Sequence, residues 1–230
     1  MLFRPIERML ERVELSKDDS DISYFTSLMY LGEMVVKVIA SGLVAAIVDE
    51  RERHRYRLLH RLVRADGIGE WCSCIDQILI GPASQHLHNE SRSDQKELTA
   101  KISSGAWQYE SVTRIQKCLC ELGIDCEEVK LTTDLRKWYS SFAVLRNKTR
   151  GHGAPSFDTC SKIATDLEIS ILLVINNLSM FKRQWAYLHR NLSGKYRVTK
   201  LSKESVLFDH LKSTSEINFT NGVYIFGSSQ

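Results

Sequence analysis

"LMYLGEMVVKVIASGLVAAIV", residues 28–48, is the most apolar stretch of this 230-residue chain, and its reading decides the fold. It carries Glu33 and Lys37, and its uninterrupted part is only about eleven residues, short of the ~20 that span a bilayer. The stretch therefore reads as a buried helix and not as a membrane segment. Its start falls near Asp21, whose carboxylate suits an N-cap, and its end near Val48.

Working outward, only three prolines occur, at 5, 82 and 155, so long helices can run uninterrupted. Residues 3–15 read as a short amphipathic helix. Residues 49–66 continue helically on a stripe of Leu58, Leu59, Leu62 and Val63, until "DGIG" breaks the pattern. Another short helix follows over 70–80. The polar, small-residue segment "PASQHLHNESRSDQ" (82–95) reads as an exposed loop. A helix over 106–122 ends at Gly123, a suitable C′ glycine. In 132–147 the residues Leu135, Trp138, Phe142 and Leu145 share one helical face. Ser156 caps the longest expected helix, from Phe157 to about Asn191.

After "LSGK" (192–195) the texture changes. "YRVTKL", "SVLFDHL" and "NGVYIFG" are short β-branched and aromatic runs, with Asn221-Gly222 as a turn between the last strands. The expected fold is mainly α: a multi-helix bundle over 1–192 with a small β-rich segment over 193–230. The closing strand has no evident partner, so a regulatory partner or the start of a further domain is expected there.

Composition is that of a globular protein with a proper core, at 43% hydrophobic and 26% charged residues. The excess of 31 Lys+Arg over 28 Asp+Glu is too small to announce a nucleic-acid partner, so any basic signal must be local. The N-terminal run "MLFRPIERMLERVELSKDD" is charged and has no h-region, which predicts a cytoplasmic chain. Its six cysteines then read as buried thiols, because the C-x-C pairs at 72/74 and 118/120 do not match the C-x₂₋₄-C of metal ribbons. His86 and His88 lack a visible third ligand, and Walker, G-x-G-x-x-G and H-E-x-x-H patterns are missing, so neither metal nor cofactor is expected. The four tryptophans, at 71, 107, 138 and 185, default to core packing.

Two constellations carry chemistry. "RERHRYRLLHRLVR" (51–64) holds six arginines, and Arg53, Arg57, Arg61 and Arg64 fall on one helical face while Leu58 and Leu62 occupy another. Arginines so arrayed can meet phosphates bidentately; they can equally be a solvated face paired with Asp49, Glu50 and Glu52. The second is "LRNKTRGHGAPS" (145–156), in which Arg146 ends one helix and His152 stands between two glycines before the next. An arginine beside a histidine suits phosphodiester chemistry: the guanidinium stabilises charge on phosphate oxygens while the imidazole moves a proton. Asn147 adds an uncharged hydrogen-bonding group, and Lys148 and Arg150 make the surroundings electropositive.

"LRNKTRGHG" resembles the R-N-x₄₋₅-H signature of the HEPN superfamily, helical domains that include many metal-independent ribonucleases. The resemblance covers about nine residues, set between helical stretches. It implies Arg146 and His152 as a catalytic pair with Asn147 as polar companion. It also implies RNA cleavage by attack of the 2′-hydroxyl on the adjacent phosphate, with two motifs facing one cleft in a homodimer. Toxins and antiviral effectors occur in the superfamily, as do inactive members. Lys148 and Arg150 depart from its pattern, and the glycine before the histidine is a further departure. Two other readings stand beside it. One is a non-catalytic dimerisation or sensing module with a structural turn at 151–153. The other is a nucleotide-binding module in which Trp138 or Tyr139 stacks on a base near Arg146.

Overall fold

The apolar stretch forms the helix on which the others assemble. In the computed structural model, which describes residues 3–49, 51, 53–124, 126–150, 156–190, 192, 196–201 and 220–225, helix α1 (Arg4–Lys17) precedes helix α2 (Asp21–Ala45). Ser20 caps α2 in place of Asp21: its hydroxyl accepts the Ser23 N–H at 3.1 Å. By length and composition α2 could cross a membrane, yet 61% of its most apolar window is covered by the rest of the protein. Phe25, Leu28, Leu31, Val35, Val36, Ile39 and Leu43 all belong to the core.

After α2 come α3 (His54–Val63), α4 (Ile68–Leu79), α5 (Arg92–Thr99), α6 (Trp107–Glu121), α7 (Arg136–Arg150) and α8 (Phe157–Asn177), followed by the short α9 (Ser179–Lys182). Helices α1, α4 and α8 pack directly on α2, and α8 lies along α6. The expected one-sided face is real: Leu135, just before α7, and Trp138, Phe142 and Leu145 within it are fully buried. Trp138 stacks on Phe142 (5.5 Å between centroids, 7° between planes). Its indole N–H donates to Ser170 Oγ at 2.8 Å, and Ser170 Oγ donates to the Ser111 carbonyl at 2.7 Å. The Ser111 hydroxyl donates back to the Ser170 carbonyl at 2.9 Å, so one buried polar clasp joins α6, α7 and α8 with its members satisfied. On the flank of the same pair of helices, Asp166 accepts from Arg114 and Lys117, each at 2.6 Å. Burial pushes its carboxyl up, but the two cations outweigh that and hold it below the usual carboxylate range.

Where α7 crosses α2, Gly32 faces Phe142. A Cβ added at Gly32 would lie 2.2 Å from Phe142 Cε2, so the ring fills the place a side chain would take.

The fold is thus a mainly helical bundle with a small antiparallel sheet, as expected, but several boundaries differ. The expected helix over 157–191 stops at Asn177. Trp185–Arg190 is instead strand β1, with buried Trp185, Ala186 and Leu188. Strands β2 (Tyr196–Lys200) and β3 (Gly222–Ile225) flank it, both antiparallel, in the order β2-β1-β3. The closing strand therefore has a neighbour, and it is the segment first assigned to a helix. Asn221 accepts the Arg190 N–H at 2.7 Å, tying β3 to β1, and the strand expected on the other side of an Asn221-Gly222 turn lies outside the described residues. The expected strand at 205–211 lies outside the described residues. The sheet meets the helices through Phe3, whose ring packs 4.4 Å from that of Trp185, and through the Arg4 N–H, which donates to the Leu201 carbonyl at 2.6 Å.

The segment 82–95 is no simple loop. It makes 3-10 turns at Pro82–His86 and Asn89–Ser91 and then enters α5. Side chains organise it: Arg92 donates to the carbonyls of Ser84 (2.6 Å) and Gln85 (2.9 Å), and Gln95 to that of Leu79 (2.7 Å). Buried Asp94 pairs with Arg183. Nor does 49–66 prolong α2, because Ile47 leaves the helix to bridge Leu87 before α3 begins.

Gly32→Ala should destabilise the protein. The gain in helix propensity is about 1 kcal/mol, but overpacking against a ring already stacked on Trp138 costs about 1–3 kcal/mol and more at so close an approach. Gly42→Ala, which would meet only the flexible tip of Met180 and Ile225 Cδ1 at 3.2–3.3 Å, should be neutral or slightly stabilising. Urea unfolding of the two variants checks the contrast; equal stabilities would contradict the packing described.

Candidate functional site

Helix α7 delivers the R-N motif at its C-terminal end. Four residues after Phe142, which is fixed against Gly32, comes Arg146, so the two side chains lie on one face one turn apart. The Arg146 Nε–H donates to Glu33 Oε1 at 3.0 Å, and Glu33 is the residue after Gly32. Glu33 is 9% exposed; Lys37, one turn along α2, lies 3.7 Å from its other oxygen and 5.8 Å from the Trp71 ring centre. The buried carboxylate thus has a cationic partner on each oxygen.

Arg146 is half-buried, while Asn147 and Lys148 are exposed. The two Nη groups of Arg146 have no hydrogen-bond partner among the described residues, so the carboxylate grips one edge of the guanidinium and leaves the other for an anion. Thr149 closes the helix end by donating to the Leu145 carbonyl at 2.8 Å. His152, the glycines beside it and the side chain of Arg150 lie outside the described residues. Ser156 resumes the described chain, and its hydroxyl caps α8 as expected, accepting the Thr159 N–H at 3.2 Å.

Beside Glu33 a groove of about 1030 Å³ runs along α2 towards β3, with Arg12, Tyr30, Lys37 and Arg183 among its lining residues. Arg12 lies over the Tyr30 ring, 5.3 Å from its centre.

The arginine face is only partly as expected. Arg53 is not in the helix but precedes it with a left-handed backbone (φ 55°), and α3 starts at His54. Arg57 and Arg64 are exposed; Arg61 turns onto α4 and donates to Ser73 Oγ at 3.1 Å. Three of the four cations thus remain open to an anionic partner. The nucleotide-stacking reading loses its aromatics, since Trp138 and Tyr139 are 0% and 2% exposed.

Cys72, Cys74, Cys118 and Cys160 are buried thiols, as expected, and burial pushes the first and third up to about 12. Cys120 and Cys126 correct the reading: they are exposed and disulfide-bonded. Gly123, at φ +69°, reverses the chain after α6. The Gly123 N–H donates to the Cys120 carbonyl at 2.8 Å and the Ile124 N–H to that of Leu119 at 2.9 Å, which brings the two Cα atoms to 4.7 Å.

Glu33 was missed as a site residue. It was visible only as a charge interrupting an apolar helix, and its partner is 113 positions away. No protein-family model, curated protein or solved structure matches the chain.

In native protein, alkylation with iodoacetamide should leave Cys72, Cys74, Cys118 and Cys160 unlabelled, and gentle reduction should expose Cys120 and Cys126 alone. Mass spectrometry reads the count directly, and labelling of Cys118 before Cys120 would contradict the burial described.

Proposed function

We propose that the chain is a metal-independent endoribonuclease of HEPN type, acting as a homodimer in which two R-N-x₄-H motifs share one cleft. The observation that carries it is the posture of Arg146: held at Nε by a buried glutamate, half-exposed, with both Nη groups turned to no described partner. Such a guanidinium is oriented in advance for the non-bridging oxygens of a phosphate, and orientation paid beforehand is what electrostatic catalysis requires. Exposed Asn147 and Lys148 add a hydrogen-bonding group and a cation beside it. The groove alongside Glu33 is not lined by Arg146, and Arg12 lies over the Tyr30 ring within it, so the reading rests on Arg146 and its exposed neighbours.

In the reaction, the 2′-oxygen attacks the adjacent phosphorus and the P–O5′ bond breaks, leaving a 2′,3′-cyclic phosphate and a 5′-hydroxyl. His152 takes the 2′-hydroxyl proton, and an imidazolium gives one to O5′. Arg146 stabilises the charge on the phosphoryl oxygens in between. Glu33 is a positioning residue, acting through Arg146. Arg57 and Arg64 serve as accessory RNA contacts.

The test is cleavage of a mixed single-stranded RNA in EDTA. Wild type should yield cyclic-phosphate ends. Arg146→Ala should lose at least ~10²-fold in kcat and His152→Ala ~10²–10⁴-fold, with the dimer intact by light scattering. Glu33→Ala should lower kcat with KM little changed, and Glu33→Gln should restore most of it. A folded dimer with no cleavage, or cleavage indifferent to both catalytic substitutions, would return residues 146–152 to a structural joint.

A further inference from the structure

The turn between α2 and α3 brings together three potential metal ligands that the sequence scatters. Asp49, His54 and His86 each offer a ligand atom, and the three atoms lie within 4.8 Å of one another, all on half-buried residues. The rings of His54 and His86 lie 4.9 Å apart at 31°. We propose that Asp49, His54 and His86 form a zinc(II) site that clips the α2–α3 connection to the 3-10 turn at Pro82–His86.

The backbone holds the ligands in place without the metal. The Val48 N–H donates to the His86 carbonyl and the His88 N–H to the Ala46 carbonyl, both at 2.8 Å, so the residue before Asp49 and His86 itself belong to one short antiparallel bridge. The left-handed Arg53 then turns the chain back, and His54 opens α3 beside Asp49. The carboxylate accepts the N–H groups of His54 and Arg55, one on each oxygen, which orients it and leaves a further lone pair on each for a cation.

The donor set is two imidazoles and one carboxylate, that of zinc sites with three protein ligands and a water in the fourth position. Around such an ion the ligand atoms sit about 3.4 Å apart, so the longest separation, at most 4.8 Å, needs to close by up to about 1.4 Å, within the reach of side-chain torsions. His88 is not part of it: its Nδ1 accepts the Glu90 N–H at 3.4 Å and caps the next 3-10 turn. The H-x-H pair of the sequence therefore contributes one ligand, and the other two come from the far side of the bridge. Arg53 adjoins the site and Arg57 follows one turn later, so zinc there also fixes the start of the arginine face.

Calorimetric titration of chelator-dialysed protein with zinc sulfate tests this. Wild type should bind one zinc per chain. His54→Ala and His86→Ala should each weaken binding more than about 100-fold, beyond what loss of an outer-shell partner costs. His88→Ala should bind as wild type. Asp49→Asn, which keeps an acceptor for the helix N–H groups, should weaken zinc while retaining helical circular dichroism, and so guards against misfolding as the cause. Cobalt(II) in place of zinc should give the strong visible absorption of a four-coordinate site, lost in both histidine variants. A wild type that takes up no zinc, or zinc uptake unchanged in the His54→Ala/His86→Ala double variant, would overturn the proposal. The titration uses no RNA, so its failure and that of the ribonuclease proposal are separable.

Discussion

The contact between Gly32 and Phe142 sets how the bundle closes. A helix that supplies so much of the core needs at least one place where a neighbour can approach its backbone, and the missing Cβ of Gly32 is that place. Phe142 enters it and is backed by Trp138, whose indole is fastened to Ser170 on α8, itself laced to Ser111 on α6. Four helices are therefore locked by one ring in one notch and one buried polar clasp. In an interior packed as densely as a crystal, neither end of that chain can shift without moving the other.

The same crossing sets the candidate chemistry. One residue beyond the notch on α2 is Glu33, and one turn beyond the ring on α7 is Arg146. The ion pair is thus a consequence of the packing. Its value lies less in stability, where a partly buried pair roughly breaks even against desolvation, than in fixing the direction of a guanidinium. A free arginine at a helix end would sample many rotamers, and ordering it on a phosphate would cost much of the binding energy gained.

The helices that are legible in the sequence are those whose own residues specify them. The apolar run of α2, the one-sided face of α7, the Gly123 stop of α6 and the Ser156 cap of α8 are local signals, and each stands where it was read. What was illegible depends on partners distant in the chain. "WAYLHR" follows a helix without a breaker and becomes a strand because β2 and β3 flank it. Residues 82–95 look like loop by composition, and are organised by Arg92, Asp94 and Gln95 reaching carbonyls and a cation elsewhere. The Cys120–Cys126 pair depends on the reversal at Gly123, which the sequence marks as a helix end but not as a closure. At the site the cations of 146–148 could be read directly, whereas Glu33 and the Asp49–His54–His86 cluster exist only once α2 has neighbours.

Packing at the α2–α7 crossing fixes the Arg146 guanidinium on Glu33, and the proposed ribonuclease role needs its other edge to meet a phosphate. That requirement is tested most directly by a crystal structure of the protein bound to a short 2′-O-methyl RNA, which cannot cleave itself. A phosphate oxygen should lie within hydrogen-bonding distance of the Arg146 Nη groups, with Glu33 still on Nε and His152 beside the 2′-oxygen. RNA bound elsewhere, or an Arg146 whose Nη groups are taken up by protein, would contradict it.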